Sequence, residues 1–345
     1  MQQHRVLITA VGGNIGQGIV KALRATKRNF YIVGIDMEPL SAGFSLVESY
    51  YVTPRTGAPS FKVEIEKIIK KEMIEAIYVC SPTELEFFSN YKEEMENKND
   101  MTIFVNPIEV VRVASDKLRT VDFLKGKNFD YPKTVIATDE GGLRELISLY
   151  GFPLIAKPRK GFTSKNVFII NSYEEIIASR TLVNDLIIQR YIPDSMSEYT
   201  ASVVSGRDKK AKATIILHRI LNQGTTYRTE LFQEHMITKQ IIDIANELGV
   251  VGVCNLQFKI FEGKVYVFEI NPRFSGTVGI RYLYGFNDAE MVFDHFRLGL
   301  DIKQPQLKQG VVLRYWNEIY ISGATFETLH SGKALHTRIH PFPVK

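Results

Sequence analysis

Short apolar runs alternate with amphipathic stretches along the first third of the chain. Residues 5–11 read as a buried strand, a glycine-led segment opens a helix through about residue 25, and residues 31–36 form a second strand ending on Asp36. Helical periodicity covers 65–71, strands are expected at 76–80 and 102–105, and Ser81-Pro82-Thr83-Glu84 starts a helix. This rhythm predicts an open parallel sheet wrapped by helices.

The pattern changes near Ser115-Asp116-Lys117, where a helix follows. Strands are then expected at 152–158, 167–170 and 186–191, with helices at 140–150 and 172–180. The next segment is richer in strands. Residues 198–205 and 211–220 form a meander around Gly206-Arg207-Asp208, a long helix at 233–248 ends at Gly249, and 250–261 with 264–271 make a hairpin around Glu262-Gly263. Beyond about residue 301 only 311–315 reads as a strand, and neither an internal repeat nor a low-complexity segment stands out.

A chain of 345 residues is too long for one small core, so two or three domains are expected. The formal net charge of +5 is spread over scattered Lys and Arg, which argues against a nucleic-acid partner. Two isolated cysteines, Cys80 and Cys254, make neither a disulfide framework nor a zinc site, and no apolar run is long enough to span a bilayer. A cytoplasmic protein with no membrane association is the expectation.

The densest chemistry lies on the 250–271 hairpin. Strand residues two apart share a face, so Glu269 and Asn271 project together and Gln257 can face them from the partner strand. Three oxygen donors on one face suit Mg²⁺. Arg273, two further along, can meet a phosphoryl oxygen or a carboxylate. Glu269 interrupts an apolar strand, as does Lys157 in the run from Phe152. A charge in that setting needs a partner or ligand. Lys117 begins a helix, where the dipole repels a cation and attracts phosphate. The loop from Arg159 to Asn166, with Gly161 and Ser164, is either a phosphate cover or a hairpin turn. Gln189, Tyr191, Ile192 and Glu198 are strand-end residues that can meet an adenosine or do nothing special. The glycine loop Gly12-Gly13-Asn14-Ile15-Gly16, with Asp36 ending the next strand, suggests a dinucleotide site, but its spacing equally fits a tight strand-to-helix turn.

Read together, Asn255-x-Gln257-Phe258 and Glu269-x-Asn271-Pro272-Arg273, with Lys117, Lys157 and the 189–192 segment in order, resemble the ATP-grasp superfamily over about residues 1–300. The nearest resemblance is to the halves of the carbamoyl-phosphate synthetase large subunit and to related carboxylate–amine and amino-acid ligases. The resemblance implies an α/β fold: a Rossmann-like pre-ATP-grasp domain over 1–113, a two-subdomain ATP-grasp α+β fold over 114–300 (about 114–187 and 188–300), and a short C-terminal segment over 301–345.

It also implies roles. Lys117 and Lys157 would hold ATP phosphates, with Gly161 and Ser164 in the covering loop. Gln189, Tyr191, Ile192 and Glu198 would bind adenosine, and Gln257, Glu269 and Asn271 would bind Mg²⁺, with Mn²⁺ as a substitute. Lys157 and Arg273 would be catalytic, Arg273 on the transferring phosphoryl group. The glycine loop would border the acceptor pocket instead of a dinucleotide. The implied reaction activates a small carboxylate as an acyl phosphate and joins it to an amine, ammonia or amino acid. A homo-oligomer is compatible with the resemblance. The alternatives are a kinase-like transfer that stops at a phosphorylated product, an NAD-dependent oxidoreductase and a non-catalytic nucleotide-binding module. Arg219, Arg228 and Arg281 are guesses for substrate contacts, or simply surface arginines. Two positions depart from the family pattern: Gln189 stands where an acid is common, and the covering loop holds only one glycine.

Overall fold

The computed structural model describes residues 2–161, 166–193, 198–315 and 317–319. Five parallel strands, β1 (Gln3–Ile8), β2 (Asn29–Asp36), β3 (Ser49–Val52), β4 (Ala76–Tyr78) and β5 (Thr102–Phe104), form the first sheet in the order β3-β2-β1-β4-β5. Its helices are α1 (Asn14–Arg24), α2 (Phe61–Glu72), α3 (Leu85–Asn99) and α4 (Ile108–Ala114). Alternation along β1 decides what each face covers. Leu7 packs with Ile65, Ile77 and Phe88 under α2 and α3, whereas Val6 and Ile8 pack with Ile19 of α1. The edge strand β3 has no counterpart in the sequence reading, because none of its four residues is buried and no apolar run marks it.

Helix α5 (Lys117–Gly126) leads to a small antiparallel sheet of β6 (Thr134–Ile136), β7 (Leu154–Pro158), β8 (Phe168–Ile170) and β9 (Leu186–Arg190), in the order β6-β9-β7-β8. It is backed by α6 (Glu140–Tyr150) and α7 (Tyr173–Leu182), with Leu143, Leu146, Leu154 and Ile176 in the core between them.

The third sheet is antiparallel and has six strands: β10 (Glu198–Ser205), β11 (Ala211–Asn222), β12 (Thr225–Phe232), β13 (Gly252–Phe261), β14 (Lys264–Asn271) and β15 (Val311–Leu313). Their order is β14-β13-β10-β11-β12-β15. Helix α8 (His235–Leu248) covers one face and ends at Gly249 with φ +78°, as the sequence suggested. It starts two residues later than expected, because the Glu234 carboxylate caps the Met236 and Ile237 amides.

The other face packs on the first sheet through α1, α9 (Val278–Arg281) and α10 (Asp288–Phe296), so one apolar core unites Val6, Ile19, Ile215, Val253, Val278 and Phe293. The contact is close. A Cβ on Gly18 would stand 2.7 Å from Val278 Cγ1 and 2.9 Å from the Gly279 amide nitrogen. Among the described residues no helix is long and apolar enough to cross a membrane.

Candidate functional site

Two antiparallel strands set the first part of the site. On β7 and β9, Ile155 pairs with Gln189 and Lys157 with Ile187, which brings the Lys157 ammonium over the small sheet towards the large one. Lys157 is 6% exposed. Its Nζ donates to Gln189 Oε1 at 2.8 Å and to the Phe268 carbonyl at 3.5 Å, while Gln189 Nε2 donates to Thr134 Oγ1 at 2.8 Å. Burial, with Lys117 next, pushes the ammonium down to about 7 against the pull of Glu269.

The hairpin β13–β14 supplies the second part. Gln257 lies opposite Glu269, and Asn255 opposite Asn271. Asn271 Nδ2 donates to Glu269 Oε1 at 2.9 Å, and Arg273 Nη2 donates to Asn271 Oδ1 at 3.2 Å. The Arg273 Nε is buried with no hydrogen-bond acceptor among the described residues, and burial pushes its guanidinium down. Asn255 is fully buried and accepts from Thr200 at 2.9 Å, so it props the hairpin from behind. A bulge between Gln257 and Phe258 shifts the register. As a result two successive residues, Phe268 and Glu269, line the same cleft, which a regular strand forbids. Plain alternation therefore missed Phe268.

Asp116 organises the third part. Its carboxylate caps the Leu118 and Arg119 amides at 3.0 and 3.4 Å, and takes a two-pronged bond from Arg159 at 2.8 and 2.9 Å. That fork ties the start of α5 to the end of β7. Lys117 thereby reaches the Gly161 carbonyl at 3.2 Å, and burial pushes its ammonium down. Glu198 on β10 pairs in register with Arg219 on β11, and Arg219 Nη2 also donates to Gln257 Oε1 at 2.8 Å. Lys259 Nζ donates to the Ile192 carbonyl at 3.1 Å and lies 5.6 Å from the Tyr191 ring centre.

These groups meet in one cleft between the small and large sheets. It is lined by Lys117, Lys157, Gly161, Gln189, Tyr191, Ile192, Glu198, Gln257 and Glu269. Ile155, Val167, Leu221 and Phe268 add apolar wall. Ile155 and Lys259 were not singled out in the sequence, although each lies two residues from one that was, Lys157 and Gln257. Ser164 lies outside the described residues. Asn271 and Arg273 line a second cavity with Asn14, Ser81, Thr225 and Arg314, and it shares Arg219, Gln257 and Glu269 with the first.

Glu269 is the one carboxylate in the set Gln257, Glu269 and Asn271, and among the described residues no cluster of three His, Cys, Asp or Glu could hold a metal alone. The set offers oxygens of the kind Mg²⁺ takes, and here Gln257 Oε1 and Asn271 Oδ1 accept from Arg219 and Arg273.

The glycine loop faces the second cavity through Gly13, Asn14 and Ile15. The Asp36 carboxylate is engaged within the fold: it accepts from the Gly12 amide at 2.8 Å, the Ser41 hydroxyl at 3.1 Å and the Glu38 amide at 3.1 Å. Arg281 is neither a surface arginine nor a lining residue of either cavity: it is 1% exposed and bonds Asp288 at 2.8 Å. Arg228 is the surface arginine of the alternative reading and pairs with Glu230 at 3.2 Å.

Comparison with known proteins shows what the arrangement is similar to. Residues 183–319 match the model "ATP-grasp in the biosynthetic pathway with Ter operon", and residues 6–103 match "PylC-like, N-terminal domain". The carbamoyl phosphate synthase large chain of Helicobacter pylori is 24% identical over 307 residues, which is 80% of this chain and 27% of that protein. The chain thus spans about a quarter of the length of such relatives. N5-carboxyaminoimidazole synthetase from Staphylococcus aureus, solved with ADP, superposes with a TM-score of 0.69 at 15% identity, covering 98% of this chain and 91% of that one. The biotin carboxylase domain of Hydrogenobacter thermophilus 2-oxoglutarate carboxylase, solved with MgADP and bicarbonate, gives 0.70 at 16% identity, covering 90% and 74%. The fold is that of ATP-grasp enzymes, and the resemblance drawn from the hairpin motif holds.

Proposed function

We propose that this ATP-grasp chain is a Mg-ATP-dependent ligase that phosphorylates a small carboxylate and joins it to an amine. The observation that carries the reading is the pair of cavities meeting at Glu269, one lined by lysines and apolar surface, the other by arginines and hydroxyls. The relatives with known reactions are named synthases, synthetases and carboxylases, which favours ligation over transfer that stops at a phosphorylated product.

In this reading Lys117 and Lys157 neutralise the ATP phosphates, and Gly161 and Ser164 belong to the loop that covers them. Gln189, Glu198 and the backbone at Tyr191 and Ile192 hold the adenosine against Ile155, Leu221 and Phe268. Glu269, Asn271 and Gln257 would hold Mg²⁺, which supplies charge neutralisation to the phosphates when bound. The substrate carboxylate oxygen bonds to the γ-phosphorus as the bond to ADP breaks, giving an acyl phosphate. The amine nitrogen then bonds to the acyl carbon, phosphate leaves and the nitrogen loses a proton. Arg273, with a free Nε donor, steadies the phosphoryl oxygens during transfer. The chain contributes alignment and charge, and needs no side-chain nucleophile.

The test incubates pure protein with Mg-ATP and pools of small carboxylates and amino acids, with and without hydroxylamine. ADP and hydroxamate, both lost in Glu269→Ala, support the reading. AMP as product overturns it. ADP with a stable phosphorylated product and no hydroxamate replaces it with simple phosphoryl transfer.

A further inference from the structure

The second cavity holds more cationic character than phosphoryl transfer uses. One end is the shared set of Gln257, Glu269, Asn271 and Arg273. The other is formed by the start of α1, by Thr225 and Thr226 of β12, by Gly276 and by Arg314. Three arginines line this space and they are not equivalent. Arg219 is paired with Glu198, and Arg273 is held by Asn271 beside Glu269. Arg314 forms no ion pair among the described residues, and its guanidinium donates to the Gly276 carbonyl. A guanidinium carries five N–H donors, so most remain for a ligand.

The position of Arg314 is fixed by the fold. Strand β15 pairs with β12, and the Arg314 amide donates to the Tyr227 carbonyl at 2.8 Å. Burial pushes the guanidinium down with no carboxylate opposing it. The start of α1 adds to the same field. No side chain caps this helix, and its first turn carries no acid, so its amide end stays positive. Asn14 closes over Gly276: a Cβ there would stand 2.7 Å from Asn14 Nδ2. Two separate parts of the chain thus bring donors to one spot.

We propose that Arg314, with Asn14 and the amide end of α1, grips a carboxylate of the small-molecule substrate other than the one that takes the phosphoryl group. A half-buried guanidinium with no ion pair among the described residues favours an anionic ligand, and the planar fork matches a carboxylate. The gripped substrate is therefore a dicarboxylate, or an amino acid that enters as the amine acceptor. This inference rests on the ligase reading of the site.

The test is calorimetric binding in the presence of Mg²⁺ and a non-hydrolysable ATP analogue, using probe pairs that differ by one carboxylate: succinate against butyrate, and L-alanine against ethylamine. Wild-type protein should favour the member with the additional carboxylate in at least one pair by about tenfold or more, as expected for a charge-assisted fork. A preference for succinate identifies a dicarboxylate, and a preference for L-alanine an amino acid. Arg314→Met should reduce the preference to within about twofold, and Arg314→Lys should keep part of it. Analogue binding should be unchanged in both variants, which also shows that they fold. No preference in either pair, or a preference that survives Arg314→Met, overturns the inference. Failure of wild-type protein to bind the analogue is a different result and overturns the ATP reading beneath it.

Discussion

Lys157 Nζ lies 2.8 Å from Gln189 Oε1, a neutral acceptor on the neighbouring strand. With an amide there, the partner on the neighbouring strand brings no charge, and burial, with Lys117 next, outweighs Glu269 and pushes the ammonium down from 10.5 to about 7. The sign follows. The unfolded lysine binds its proton below 10.5, but the folded one only below about 7. The free protein therefore carries a stability cost that is fully present below about pH 7 and fades as pH rises towards 10.5.

Binding of ATP phosphates beside Lys157 should restore its charge. At pH 8 nucleotide binding is expected to take up close to about one proton, falling towards zero below about pH 6. Calorimetry in buffers of different ionisation enthalpy measures this directly. In Gln189→Glu the new carboxylate should keep Lys157 charged beforehand and abolish the uptake. Binding heats at pH 8 that do not depend on the buffer would refute the account.

The metal set carries one carboxylate, Glu269, beside two amides, and such a set is a weak trap for a hard dication in water. Mn²⁺, followed by electron paramagnetic resonance, is expected to stay free with protein alone and to bind once ADP is added. Glu269→Gln should weaken that nucleotide-dependent binding by at least the roughly tenfold typical of losing even an outer partner. Tight Mn²⁺ binding without nucleotide would show that the donors act as an independent site.

Helix interiors usually gain from Gly→Ala, yet Gly18 should behave in the opposite way. Its Cβ would meet Val278 Cγ1 at 2.7 Å and Gly279 backbone at 2.9 Å. Gly18→Ala is expected to destabilise by about 2 kcal/mol, the usual cost of overpacking, against about 1 kcal/mol gained from propensity at an open site. Thermal unfolding measures it, with Gly57→Ala, where nothing lies within 4 Å, as the neutral control.

Local pattern made much of this molecule legible. The first sheet announces itself because its buried strands are short apolar runs, and the β13–β14 hairpin because Glu262-Gly263 forces a turn between two of them. Of the proposed metal donors, Glu269 and Asn271 follow from alternation on one of those arms, and Gln257 faces them from the other. Three features depend on partners that a local reading does not see. The bulge that turns Phe268 into the cleft is a mismatch between two strands. Strand β12 is flanked by β11 and β15, and pairing rather than a strong apolar pattern organises it. Arg314 lies 41 positions from Arg273 and reaches the same cavity only because β15 docks on β12.

Asp36 ends the second strand of a Rossmann-like sheet, the place where such folds often choose between the two phosphorylation forms of a nicotinamide cofactor. Exchanging that acid is a familiar way to re-engineer the choice. Here the carboxylate fastens the Gly12 amide and the Ser41 hydroxyl, and so sets the curvature of a loop that walls the other cavity. Replacing it would bend a wall of the second cavity, and the redox engineer's lever would turn nothing it was meant to turn.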